Sequence, residues 1–307
     1  MTRLSGIYSA LVTPMTDDEE LDLDAVQPLV EFELSLGIQG LYVGGSSGEA
    51  PLQTNEERTS ILKAVAQATR GRTSLIAHVG SVSTRDTLLL AETAQEAGYQ
   101  AISAVPPYYF DFPRREIIGH YITIAEHANI PLVIYNFPSK VPGFTFNELS
   151  ELFAHPNIVG IKHTSTDFYL LERMRSAFPD IAIFNGYDEA CLSGLAMGAD
   201  GAIGTTYNIM GDLFVALRVA FMEGDHQTAL KLQSLANRII DVLIAHGPFP
   251  ATKAALEIMG VSVGPSRKPL NRIGVEAQRE IEDALQPLLR WRSHRVKLPS
   301  TAAVATS

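Results

Sequence analysis

At 307 residues and 46% apolar composition, the chain can bury a large core, which excludes a disordered or fibrous polypeptide. Its 34 acidic against 24 basic residues give a formal charge of −10, and a sequence-independent nucleic-acid binder needs the opposite sign to neutralise phosphates. No stretch of 18 apolar residues occurs, Asp17-Asp18-Glu19-Glu20 stands where a signal peptide would be apolar, and a single cysteine, Cys191, allows neither an internal disulfide nor a cysteine set for zinc. A cytoplasmic protein that binds neither membrane nor nucleic acid is therefore expected.

In chain order, short β-branched apolar runs at 6–13, 38–43, 73–79, 101–105, 132–135, 158–162, 181–184 and 201–204 predict eight strands. Each precedes a segment with helical signals. Val26, Leu29, Val30 and Leu34 form a stripe at helical spacing, and Thr54 with Glu57 and Thr145 with Glu148 have the spacing of capping boxes. Strands alternating with helices imply parallel pairing through crossover helices, and runs apolar at consecutive positions, such as 181–184, fit strands covered on both faces. Eight such units predict an α/β fold, a closed (β/α)8 TIM barrel, with an open doubly wound sheet as the alternative. After Thr206 the periodicity is helical without further strands, at 213–222, 227–244, 252–259 and 275–289, punctuated by Gly224-Asp225 and Gly247-Pro248. The expected organisation is a barrel over 1–206, a C-terminal helical extension over 207–296 acting as a cap or oligomerisation element, and a frayed tail over 297–307.

A barrel carries its active site at the C-terminal ends of its strands. There the sequence places Gly44-Gly45-Ser46-Ser47-Gly48-Glu49, Tyr135-Asn136, Lys162-His163-Thr164, Gly186-Tyr187-Asp188-Glu189 and Thr205-Thr206. Lys162 closes an apolar strand, where desolvation would lower its pKa and free a neutral amine to attack a ketone. A lysine snorkelling from the rim, or paired with a carboxylate, is the plainer alternative. Adjacent strands lie about 4.8 Å apart, so the Tyr135 phenol could reach that amine and relay protons, or simply pack in the core. The glycine run with Ser46 and Ser47 can cradle a carboxylate or be a tight turn. It also matches G-x-S-x-G, but residues 49–53 separate it from the Thr54 cap, where a serine-hydrolase elbow needs an immediate helix. Asp188 and Glu189 can accept hydrogen bonds from polyol hydroxyls or cap the next helix. The histidines are scattered without ligand spacing, so no catalytic metal is expected, and His78, His163 and Cys191 read as structural.

Taken together, Gly44–Glu49, Tyr135-Asn136-Phe137-Pro138 and Gly160-Ile161-Lys162 resemble the dihydrodipicolinate synthase / N-acetylneuraminate lyase family of Schiff-base aldolases. The segments 75–80, 162–165, 185–189 and 201–208 are most similar to its sialic acid lyase branch. The resemblance implies reversible aldol cleavage of a 2-keto sugar acid to pyruvate, with N-acetylneuraminate as the expected substrate, no cofactor, and a homotetramer. It implies that Lys162 forms the imine, that Tyr135 shuttles protons, and that Ser46 and Ser47 bind the carboxylate. Thr164, Gly186, Asp188, Glu189 and Thr205, with Phe249 nearby, would take the hydroxylated remainder, and Tyr109 would reach into a neighbouring subunit's site. Two positions depart from the pattern. Lys140 follows the tyrosine strand where synthases carry an arginine, which weakens a synthase reading because lysine lacks the bidentate fork. Thr205 replaces a serine common among the lyases. A synthase, another 2-keto-3-deoxy sugar acid aldolase, and a non-catalytic keto-acid binder are the remaining alternatives.

Overall fold

Eight strands pair in parallel and in chain order around a closed barrel, β1 bonding to both β2 and β8. They are β1 (Gly6–Ala10), β2 (Gly40–Val43), β3 (Ser74–His78), β4 (Ala101–Ala104), β5 (Leu132–Asn136), β6 (Ile158–His163), β7 (Ala182–Asn185) and β8 (Gly201–Gly204). The computed structural model describes residues 3–141 and 143–295, so the tail expected at 297–307 lies outside the described residues. Every predicted run forms a strand, and the β1–β8 pairing decides for the barrel over the open sheet.

Side chains alternate along each strand. Tyr8, Tyr42, Ile76, Val133, Tyr135, Phe184 and Ile203 pack together as an inner core, while Ile7, Leu41, Ala77, Ile134 and Ile161 join the larger core beneath the helices. Both faces are therefore dry, which is why the strands read as continuous apolar runs.

The outer layer is α1 (Val26–Ser35), α2 (Asn55–Thr69), α3 (Thr84–Glu96), α4 (Arg114–His127), α5 (Phe146–Phe153), α6 (Phe168–Ala177), α7 (Cys191–Ala196) and α8 (Tyr207–Met222). Both capping boxes form, with reciprocal bonds at Thr54–Glu57 and Thr145–Glu148. Val26, Leu29 and Val30 are buried as their stripe requires. Glu33 is buried beside them, which the stripe does not predict. Ser9 Oγ donates to its Oε1 at 3.2 Å, and burial drives its pKa well above the carboxylate range.

Beyond the barrel, α9 (His226–Ala245), α10 (Pro248–Ile258) and α11 (Val275–Arg295) pack on one another, and α9 and α10 also pack on α8. No helix among the described residues is long and apolar enough to cross a membrane.

The first strand stops at Ala10, short of the predicted residue 13, because the Val12 N–H turns to Asn208 Oδ1 at 3.1 Å. Asn208 Nδ2 donates to Ala10 O at 2.8 Å and to Thr205 O at 2.7 Å, so one buried side chain joins the β1 and β8 ends of the barrel mouth. Asn208→Ala should leave the buried Val12 N–H without its acceptor, remove a donor from the Ala10 carbonyl and cost about 2–3 kcal/mol. Denaturant midpoints of native and variant protein check this, and an unchanged midpoint would contradict it.

Candidate active site

The β5–β6 register sets Tyr135 beside Lys162 and Asn136 beside His163. Lys162 turns into the barrel, its Nζ lying 4.4 Å from the centre of the Tyr135 ring and 4.6 Å from that of Tyr42. Tyr42 and Tyr135 meet edge to face at 6.2 Å, and Phe137 stacks on Tyr135 at 5.7 Å, so the lysine stem is sleeved by aromatic rings. Only 5% of Lys162 is exposed. Burial pulls its pKa down to about 7, against the opposing attraction of the Asp188 carboxylate. A substantial fraction of the amine is therefore neutral near pH 7, and the snorkelling alternative does not hold.

Burial pushes the Tyr135 phenol up to about 12, with the Thr164 and Ser46 hydroxyls partly offsetting it. The phenol is thus protonated at neutral pH. Thr164 Oγ1 is itself buried without a hydrogen-bond partner of standard geometry. A side chain at Gly186 would have its Cβ 1.9 Å from that oxygen, so glycine is what lets the two loops close over the lysine.

The loop after β2 turns through Gly44, whose φ of +74° favours glycine, and presents Ser46 and Ser47 to the barrel mouth. Ser47 Oγ lies 2.7 Å from Thr205 Oγ1. A short 3-10 turn, Ala50–Leu52, follows, and α2 starts only at Asn55. Ser46 is therefore not on a strand-to-helix elbow. Among the described residues no histidine lines the cavity beside Ser46, and His246 pairs with Glu280 at 2.8 Å.

Asp188 leaves β7 in a 3-10 turn, Asp188–Ala190, and does not cap the next helix through its side chain. Its Oδ2 accepts from the Thr206 N–H at 2.8 Å and from Thr206 Oγ1 at 2.7 Å. Burial raises its pKa to about 6 despite those bonds. Glu189 beside it is exposed, its backbone carbonyl held by Asn237 Nδ2 at 3.1 Å.

These residues line one cavity of about 180 Å³, which brings together Ser46, Ser47, Tyr135, Lys162, Thr164, Gly186, Asp188, Glu189, Thr205 and Phe249. Ten of the eleven site residues expected from the sequence thus converge. Tyr109 does not join them within one chain. It is 88% exposed at a φ of +83°, edge to face with the exposed Phe110. Lys140 is also exposed and outside the cavity. His78 is structural, as expected: its Nδ1 donates to Gly44 O at 2.9 Å, its Nε2 accepts from the Val105 N–H at 3.3 Å, and burial lowers its pKa to about 3. His163 accepts from Asn136 Nδ2 and donates to Asp167 O, and the buried Cys191 thiol is pushed up to about 12.

Sequence reasoning missed Tyr42 and the wall that α9 supplies through Ile240 and Ile244, and it named Phe137 and Thr206 without giving either a place in the site. Tyr42 was detectable, since strand alternation from the outward Leu41 points it inward. The α9 wall was not, because it depends on how the extension folds back.

The chain matches the dihydrodipicolinate synthetase family over residues 3–288. It is 54% identical over 290 residues, 94% of this chain and 97% of the relative, to an N-acetylneuraminate lyase of Rhizobium meliloti (strain 1021). Among solved structures it is similar to CdNal of Clostridium difficile, in complex with mannosamine, with a TM-score of 0.91 at 33% identity over 93% of this chain and 99% of that one. It is likewise similar to a Ruminococcus gnavus sialic acid aldolase bearing a catalytic lysine mutation, with a TM-score of 0.91 at 31% identity over 94% and 97% of the two chains. The protein belongs to the dihydrodipicolinate synthetase family.

A lysine neutral when buried but charged when unfolded makes the unfolded state bind more protons between pH 7 and 10, so its contribution to stability rises with pH across that window. Lys162→Met removes the group. The variant should be more stable than the native protein near pH 7, with the gap closing towards pH 10, as read from paired denaturant midpoints. A gap that stays constant would mean that Lys162 is not held neutral.

Proposed function

We propose that the protein catalyses the reversible aldol cleavage of N-acetylneuraminate to N-acetylmannosamine and pyruvate through a Schiff base on Lys162. The observation that carries this is the sleeved amine: a lysine held at a pKa of about 7, within 4.4 Å of a tyrosine ring, in the cavity of a lyase-like barrel. Two of the relatives described above, the Rhizobium meliloti lyase and the Ruminococcus gnavus aldolase, are named for this sugar acid.

In this reading the neutral Lys162 amine attacks C2 of the open-chain keto acid and expels water to form an iminium ion. Removal of the C4 hydroxyl proton lets the C3–C4 electron pair flow into the iminium, releasing N-acetylmannosamine and leaving an enamine. Protonation at C3 and hydrolysis then release pyruvate and regenerate the amine. The electron sink is the imine itself, so the scheme uses no cofactor or metal. A phenol with a pKa of about 12 is no free base at neutral pH, so Tyr135 works as a relay that passes its own proton on as it takes one from the substrate.

Ser46 and Ser47 hold the carboxylate, in keeping with their place beside Tyr135 and Thr205. Thr164, Gly186, Asp188, Glu189, Thr205 and Phe249 take the rest of the sugar acid. At about 180 Å³ the cavity is below the roughly 300–1,000 Å³ usual for larger ligands, so it encloses the keto-acid end while the polyol reaches the open mouth at the exposed Glu189. The setting we propose is a cytoplasmic homotetramer in which Tyr109 completes a neighbour's site, since one chain alone leaves Tyr109 and Phe110 uncovered.

Supplying N-acetylneuraminate should release pyruvate, and borohydride should trap an adduct on Lys162. Lys162→Ala should abolish both while retaining the fold, and near-native turnover in that variant would exclude the scheme. An adduct with pyruvate but no cleavage of the sugar acid would point instead to a different aldol partner. Tyr135→Phe should still form the trapped adduct but turn over about 10²–10⁴ times more slowly. The kcat/KM of native enzyme should fall as pH drops below about 7, where the amine is protonated.

A further inference from the structure

Behind the serine-bearing loop lies a second polar cluster that does not line the cavity. Glu49 follows Gly48 with its backbone in the left-handed region, φ +61°, a conformation that is strained for a residue other than glycine. Its Oε1 lies 3.0 Å from Lys253 Nζ of α10, the two side chains being 0% and 2% exposed. Its Oε2 accepts the Arg267 N–H at 2.8 Å, and Lys253 Nζ donates to Pro265 O, also at 2.8 Å. The Arg267 guanidinium in turn pairs with Glu57 at the start of α2 and donates to Leu52 O. Burial lowers the Lys253 pKa despite the carboxylate beside it.

Burying two charges costs desolvation on both, and an apolar pair of similar volume often serves stability as well or better. Stability therefore gives no reason for an ion pair here. Its geometry does. Glu49 is two residues past Ser47, and Lys253 is four residues, about one helical turn, past Phe249. Ser47 and Phe249 both line the cavity, whereas Glu49 and Lys253 do not.

We propose that Glu49 and Lys253 form a positioning pair that locks the Ser46–Ser47 turn to α10 one turn past Phe249, holding both walls at a fixed spacing around Lys162. The inference deepens the Schiff-base reading and rests on it.

Glu49→Gln, Lys253→Met and the double variant, compared with native enzyme in the condensation of pyruvate with N-acetylmannosamine, test the pair. Each single variant strands a buried charge, so its thermal midpoint should fall and its KM for pyruvate should rise about tenfold or more. The double variant removes both charges. Its midpoint should return close to native while its KM stays raised about tenfold and kcat changes less, because the lock is gone although the fold is not. A double variant whose KM recovers together with its midpoint overturns the proposal, since the pair would then serve stability alone. A single variant that folds and keeps the native KM overturns it too. Failure of native enzyme to give a borohydride-trapped Lys162 adduct with pyruvate would be a different result, removing the Schiff-base reading and the inference with it.

Discussion

A primary amine is a nucleophile only when it carries no proton, and near neutral pH that requires taking it out of water. Closure of the barrel accomplishes this for Lys162. With β1 bonded to both β2 and β8 there is no open edge through which solvent reaches the lumen, and the inner core of Tyr8, Tyr42, Tyr135 and Phe184 fills the space below the lysine. The same rings that exclude water offer their faces to Nζ, which favours the ammonium form. Desolvation set against the Asp188 carboxylate leaves the amine at a pKa of about 7. Closure is the constraint on which the chemistry depends.

Asp188 is held in the same tension from the other side. Buried, it is driven towards the neutral acid, while two bonds from Thr206 and the distant lysine pull it back. Because it sits on the turn after β7 and its donors sit after β8, the strand order that closes the barrel also fixes the carboxylate. Tyr135 is tied to Lys162 by register alone, one residue opposite another on adjacent strands. Asp188, Tyr135 and Lys162 are thus placed by the order and register of the strands, and the loops supply the walls.

The sequence made the sheet legible because each strand is buried on both faces and so reads as a short apolar run bounded by turn residues. It made the catalytic end legible because polar residues that end such runs in a barrel are confined to one rim. Local signals carried as far as local physics reaches: both capping boxes formed, since each needs only residues three apart. What remained hidden depended on long-range placement. Ile240 and Ile244 line the cavity because α9 folds back over the mouth, and the buried Glu33 meets its Ser9 partner on a different element, 24 residues earlier in the chain. Tyr109 stands apart from the cavity, exposed beside Phe110.

The C-terminal extension is more than a lid by adjacency. α9 contributes apolar wall, the start of α10 contributes Pro248 and Phe249, and Asn237 of α9 holds the carbonyl of Glu189. The barrel rim alone would present Lys162, Tyr135 and the serines to open solvent, in which the desolvation that lowers the lysine pKa would weaken. Lys162 thus comes from the barrel and part of its walls from the extension. Arg292 of α11 carries this to the end of the described residues, pairing with Asp212 at 2.6 Å and donating to Ile209 O on α8. Long-range polar ties of this kind keep the extension seated where an apolar contact, which has no direction of its own, would allow it to slide.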